Sequence, residues 1–229
     1  MDPLTWSLWI LCGLAVLSIV LGTIESRIKP PAGTQLPNGL KPGLAAELAR
    51  SREDIERIVG PSETKEGKKN RSLLRWLEIL DLPFIAAYTS LFFLLGQLES
   101  TLAFPGASVL GLGSRATVLI AGLADLLEDI AILRTLRGNE GSVRRFGLTK
   151  WFFYYLTLAG LSLLFFFFPA TGGVEHCLSP LTGGLFLLAG LGGVAAVLLR
   201  KDRWLPAATA ASALGLLLLL VLLIFHKRA

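Results

Sequence analysis

Apolar residues dominate this chain in six stretches, each about long enough to cross a bilayer: residues 4–24, 76–98, 116–136, 151–169, 181–199 and 205–225. A membrane helix needs about 20 such residues, because each adds about 1.5 Å to a hydrocarbon layer about 30 Å thick. The polar stretches between them are short, except for one of about fifty residues after the first. Within that loop, residues 29–43 (KPPAGTQLPNGLKPG) are rich in Pro and Gly and read as irregular linker. Residues 44–59 (LAAELARSREDIERIV) are periodic, with Leu44, Leu48, Ile55, Ile58 and Val59 on one face. They predict an amphipathic helix that Gly60–Pro61 would end. Sixteen residues with seven charges are too few and too polar to span, so this helix lies on the membrane or docks on the bundle. The expected fold is an all-α polytopic bundle of about six transmembrane helices in one domain, residues 1–229, with one cytoplasmic amphipathic helix.

The third stretch breaks the pattern. Residues 116–136 read ATVLIAGLADLLEDIAILRTL, with Asp125, Glu128 and Asp129 in the middle. At 100° per residue the three fall within a sector of about 100°, so they share one face. Such residues are rare at bilayer depth and mark a functional site by default. Each central acid costs roughly 2.5–3.5 kcal/mol on the insertion scale, against about 0.3–0.6 returned by each Leu, Ile or Val. Alone this helix is marginal, and it needs neighbours to cover its acids. The second stretch opens LRWLEILDLPFIAAYTSLFF and places Glu78, Asp81, Phe84, Tyr88 and Phe92 on one face. Asp81 would lie about 7.5 Å from the inner end of its span and Asp129 about 10 Å from the inner end of the next. If these antiparallel spans are neighbours, Glu78, Asp81, Glu128 and Asp129 lie level, Asp125 lies deeper, and Pro83 loosens the helix beside Asp81. The expected partners are Arg71 and Arg75, or Arg134, Arg137, Arg144 and Arg145.

A composition of 53% hydrophobic residues and a mean hydropathy of +0.62 exclude an ordinary soluble domain. The net charge of +5 does not indicate nucleic acid, because Lys and Arg sit in loops beside membrane spans. Nineteen of them fall in residues 25–75, 134–150 and 200–203, and three elsewhere. The positive-inside rule then places those loops in the cytoplasm and both termini outside, in a bacterial inner membrane by expectation. Lys68, Lys69, Arg71 and Arg75 suit anionic lipid. Two cysteines and two histidines exclude a disulfide framework and most His- or Cys-rich metal sites. The first stretch lacks a basic start and a small-residue cleavage site, so it reads as a retained anchor.

Several motifs fail on context. Gly111-Leu112-Gly113-Ser114-Arg115-Ala116 fits a dinucleotide-binding pattern but follows no strand. Asn70-Arg71-Ser72 is a glycosylation sequon on the cytoplasmic side. Residues 99–115 and 170–180 read as outside loops, the latter holding Glu175, His176 and Cys177; adjacent His and Cys rarely aim at each other for catalysis. The glycines of the fifth stretch, Gly183, Gly184, Gly190, Gly192 and Gly193, read as tight helix packing.

The combination of Glu47-Leu48-Ala49 in a short helix, Asp81-x-x-Phe84-x-x-x-Tyr88 opening a span, and Asp125-x-x-Glu128 in the next resembles a group of small bacterial multi-span membrane proteins with an intramembrane D-x-x-E-[N/D] motif. The resemblance covers residues 44–136, implies a membrane bundle, and carries no activity. The group has Asn where this chain has Asp129, so the charge of the site does not transfer.

Three readings of the acids stay open: an ion-pair network that holds the bundle, a cation or proton site in a permeation path, and a head-group or metal site for lipid chemistry. No nucleophile–base pair is readable. No catalytic residue or cofactor is assigned, and a metal is left open. The reading taken forward is a cytoplasm-facing pocket in which Asp81, Asp125, Glu128 and Asp129 hold a cation, proton or amine-bearing group, with Glu78 at the mouth and Tyr88 as a wall. A structural subunit of a membrane complex, docking a membrane partner or a second copy, is the alternative; a lipid enzyme is third.

Overall fold

The computed structural model describes residues 3–34, 36, 40–139, 143–168 and 173–226, and among these the regular structure is helical, with no strand. Eight helices follow in order: α1 (Pro3–Glu25), α2 (Pro42–Glu47), α3 (Arg52–Val59), α4 (Lys65–Glu99), α5 (Ala107–Leu136), α6 (Val143–Phe166), α7 (Gly173–Leu198) and α8 (Leu205–His226). A 3₁₀ turn, Asp202–Trp204, links the last two. Five of them, α1, α4, α6, α7 and α8, are long and apolar enough to cross a membrane. The chain is an integral membrane protein by that measure. Its exposed side chains agree, since Trp9, Ile19, Val109 and Leu188 are each more than 60% exposed. In α5 the usual soluble order is inverted: Leu119, Leu123 and Ile130 face outward while Asp125, Glu128 and Asp129 are buried.

Helices extend beyond the apolar stretches. α4 begins at Lys65, eleven residues before its stretch, and α6 begins at Val143. Nothing in those approaches breaks a helix, so polar turns simply continue the apolar ones. The expected loop 99–115 is helical from Ala107, and the expected loop 170–180 is helical from Gly173. The dinucleotide-like pattern at Gly111 therefore lies inside α5, with no strand before it. Pro83 sits within α4, which continues through it although the proline donates no backbone hydrogen bond.

The expected single helix over residues 44–59 is corrected to two short ones. α2 ends at Glu47 and α3 starts at Arg52, with Ser51 as an extended N-cap between them. Ser51 Oγ accepts from Asp54 N at 3.4 Å, and Asp54 Oδ2 accepts from Arg50 N at 2.9 Å. That reciprocal arrangement satisfies the open end of α3, so a new helix starts here instead of the old one continuing. The Ser51 hydroxyl and a backbone N–H hold the Glu53 carboxyl below its ordinary value. The stop at Gly60 is as expected: its φ of +86° suits glycine, and its N–H closes the last turn on Glu56 O. Leu48, Ile55, Ile58 and Val59 are all buried.

The chain forms two compact units. One comprises residues 1–14, 87–121 and 151–229; the other comprises residues 15–86 and 122–150. In the first, α7 packs along α8. Phe186 meets Phe92 and Phe165 edge-on, and Tyr155 hydrogen-bonds Thr209 at 3.0 Å. Two buried carboxyls belong to this unit: Glu99 accepts from Ser114 Oγ at 2.8 Å, and Glu175 faces His226 Nδ1 at 3.3 Å. His226 thus meets a carboxylate. Lys227 and Arg228 lie outside the described residues.

In the second unit Asn70 pins the ends of the long loop. Its amide donates to Lys29 O at 2.7 Å and Val59 O at 3.1 Å, and accepts from Lys29 N at 3.2 Å. At 3% exposure this side chain is also out of reach of a glycosylating enzyme. Asn70→Ala should destabilise the unit by about 1–3 kcal/mol, since buried backbone groups lose their partners. Limited proteolysis of residues 26–64 reads this directly: the variant should be cut faster, and an unchanged cleavage rate would show that the loop is held elsewhere.

Candidate functional site

The site lies wholly within the second unit and draws on three long helices and one short one. α5 supplies Asp125, Glu128 and Asp129, which are 4%, 0% and 2% exposed. Their helical spacing puts all three on the inner face while Leu123, Leu126 and Leu127 point out, as the sequence pattern requires. α4 supplies Glu78 and Asp81. One carboxyl oxygen from each of Asp81, Asp125 and Asp129 lies within 4.8 Å of the other two. Glu78 stands within hydrogen-bonding reach of Asp129. Expected at the mouth, Glu78 is in fact 5% exposed, while Asp81 is only half-buried.

The cation against these acids is Lys150, on the second turn of α6. Its Nζ lies 2.7 Å from Glu128 Oε2, 2.9 Å from Asp125 Oδ1 and 3.0 Å from Glu47 Oε2. An ammonium has three protons to donate, and here three carboxylates surround it. The sequence points to arginine partners and does not single out this lysine. Arg71 pairs with Glu56 at 3.7 Å, and Arg144 donates to Leu48 O at 3.4 Å.

Glu47 reaches Lys150 because α2 ends against α6. Arg144 N donates to Ala49 O at 3.0 Å, which ties the first turn of α6 to the chain leaving α2. One turn before Lys150 stands Gly147. A Cβ there would sit 2.6 Å from Glu47 O and 2.9 Å from Glu128 Oε1. Only a hydrogen fits, so the glycine sets the close approach of α2 and Glu128 to α6.

Two carboxyl oxygens remain unanswered. Glu128 Oε1 and Asp129 Oδ2 are buried and have no hydrogen-bond partner. Buried polar atoms are nearly always paired, so each such atom calls for an explanation. Six carboxyl groups, from Glu47, Glu78, Asp81, Asp125, Glu128 and Asp129, thus converge with one lysine.

Tyr88, the expected wall, belongs to the other unit. It is buried there, with its ring edge-on to Tyr154 at 5.9 Å and tilted against Phe92. Lys150 and Glu47 were missed as site residues. By sequence Lys150 reads as a loop charge, because the apolar stretch starts one residue later. Glu47 lies about thirty residues before Glu78, and sequence spacing gave no reason to bring them together.

Compared with protein families, with characterised proteins and with solved structures, the chain matches none. Function therefore has to be argued from the chemistry of this cluster.

Proposed function

We propose that the second unit carries an intramembrane acidic site that binds a cation, a proton or an amine-bearing group, reached from the cytoplasm, and that the site serves passage of that species. One observation carries the reading: six carboxyl groups gather about one buried lysine, whose ammonium meets three of them. Like charges at such separations cannot all ionise in a medium of low dielectric. The excess has to be met by protons or by a further cation. Groups that must take up and release positive charge are what a permeation path requires.

In this reading α5 is a sixth span. Its 30 residues are long enough, and Lys150 offsets part of the cost of its acids. The six spans then leave both termini outside, and the basic residues of 25–75, 134–145 and 200–203 inside. Moving Lys150 from loop to bundle leaves eighteen cations against three, so the orientation stands. Lys68, Lys69 and Arg75, exposed on the first turns of α4, meet anionic lipid; Arg71 is held in part by Glu56.

A second reading has its own support. Lys150 joins α5, α6 and the end of α2 through three short contacts, as a structural brace would. Thermal unfolding in detergent separates the two. A binding site predicts stabilisation by a cation or by acid, reaching about 2.7 kcal/mol at a hundredfold excess of ligand over its dissociation constant. Asp129→Asn keeps the shape, and it should fold but lose that gain. Indifference of the wild type to pH, sodium, magnesium, calcium and polyamines, with a variant that fails to assemble, would leave the brace.

A further inference from the structure

We infer that Asp81, Asp125 and Asp129 bind one hard divalent cation of the magnesium, manganese or calcium type. The inference rests on the acidic site being a cation site and narrows what it takes.

Geometry is the first ground. The three oxygens lie within 4.8 Å of one another. Opposite ligands on a hard divalent ion are about 4.2–4.8 Å apart, at metal–oxygen distances of about 2.1–2.4 Å, and adjacent ligands are closer. The trio is close enough for side-chain rotation to bring it into one coordination shell without moving a helix. A buried oxygen of Asp129 is the second ground. It is 2% exposed, yet its Oδ2 has no hydrogen-bond partner. A metal ion answers an acceptor of that kind without needing a donor group.

Charge favours divalent over monovalent. The acids outnumber Lys150, and a divalent ion offsets twice as much of that excess as a monovalent one. Glu47, whose side chain is 24% exposed, is reachable by water. Donor chemistry selects the class of metal. The trio is all oxygen, with neither imidazole nor thiolate, which suits hard ions and not zinc or copper. Asp81, half-buried, leaves an open side for water ligands or entry.

The test is manganese binding to the whole protein in detergent, read by loss of the free-ion electron paramagnetic resonance signal, with magnesium, calcium and sodium as competitors. The wild type should bind one manganese per chain. Magnesium or calcium should displace it, and sodium at the same ionic strength should not. Asp129→Asn and Asp81→Asn should each weaken binding at least tenfold while eluting as the wild type does. Glu63→Gln, on an exposed loop, should bind as the wild type does and so guards against stray surface acids. Free manganese throughout, with stabilisation by sodium or acid intact, overturns the divalent site and leaves the broader reading standing. Free manganese with no stabilisation by any cation or by acid overturns both. Unchanged binding in both aspartate variants moves the ion elsewhere and also overturns the inference.

Discussion

Lys150→Met should destabilise the protein by about 3–5 kcal/mol, the range for breaking a buried charge pair by removing one partner. Methionine keeps much of the lysine's volume, so the loss is charge and not packing. Lys150 is 6% exposed, and Glu47, Asp125 and Glu128 all lie within 3.0 Å of its Nζ. Without the ammonium, those carboxylates face one another across a buried space and lose this counter-charge. A second substitution tests the cause. Glu128→Gln removes the acid in the shortest contact, so Lys150→Met combined with Glu128→Gln should recover part of the loss, with a coupling of about 0.5–3 kcal/mol. Thermal unfolding of the four proteins in one detergent gives the cycle. If the two losses simply add, Lys150 acts by packing, and the electrostatic account of the site fails.

Gly193→Ala should cost about 1–3 kcal/mol, the range for forcing an extra carbon into a packed interior. The Cα of Gly193 lies against the ring of Tyr155, and a Cβ there would strike the ring carbons. That ring cannot swing away. Tyr155 is fully buried, hydrogen-bonds Thr209 at 3.0 Å, and stacks on Trp151. Gly190, one turn earlier, is also tight, with a Cβ there only 2.6 Å from Ala159 N. Gly192 gives the control. Nothing lies within 4 Å of a Cβ at that position, so Gly192→Ala should be neutral or gain up to about 1 kcal/mol from helix propensity. Equal effects at Gly192 and Gly193 would mean that α6 and α7 do not pack as described. The contrast also sorts the glycine-rich stretch, since Gly183, Gly190 and Gly193 meet neighbours and Gly184 and Gly192 do not.

Much of the architecture was legible residue by residue. Runs of Leu, Ile and Val in 4–24 and 205–225 could become nothing but long apolar helices, because a bilayer-length segment has to satisfy its own backbone. The acids at 125, 128 and 129 could lie only on one face, since 100° per residue leaves no alternative. Helix starts were less legible. Apolar runs mark where lipid would begin, not where hydrogen bonding begins, so α4 and α6 start earlier than their stretches. The break at Ser51 was visible in Ser51-x-x-Asp54, but the stronger apolar period across 44–59 masked it.

The sequence by itself determined the helical class, the apolar outer surface and an acidic inner face on α5. Each follows from interactions between residues at most four apart, and local periodicity records those. Only the tertiary structure decided that Lys150 is a counter-charge of these acids. It alone brought Glu47 from the end of a short helix to that lysine, and put Tyr88 in the other unit. These are contacts between segments distant in the chain, set by how closely backbones approach at Gly147 and by which buried charge is left to pair. No spacing along one helix encodes them.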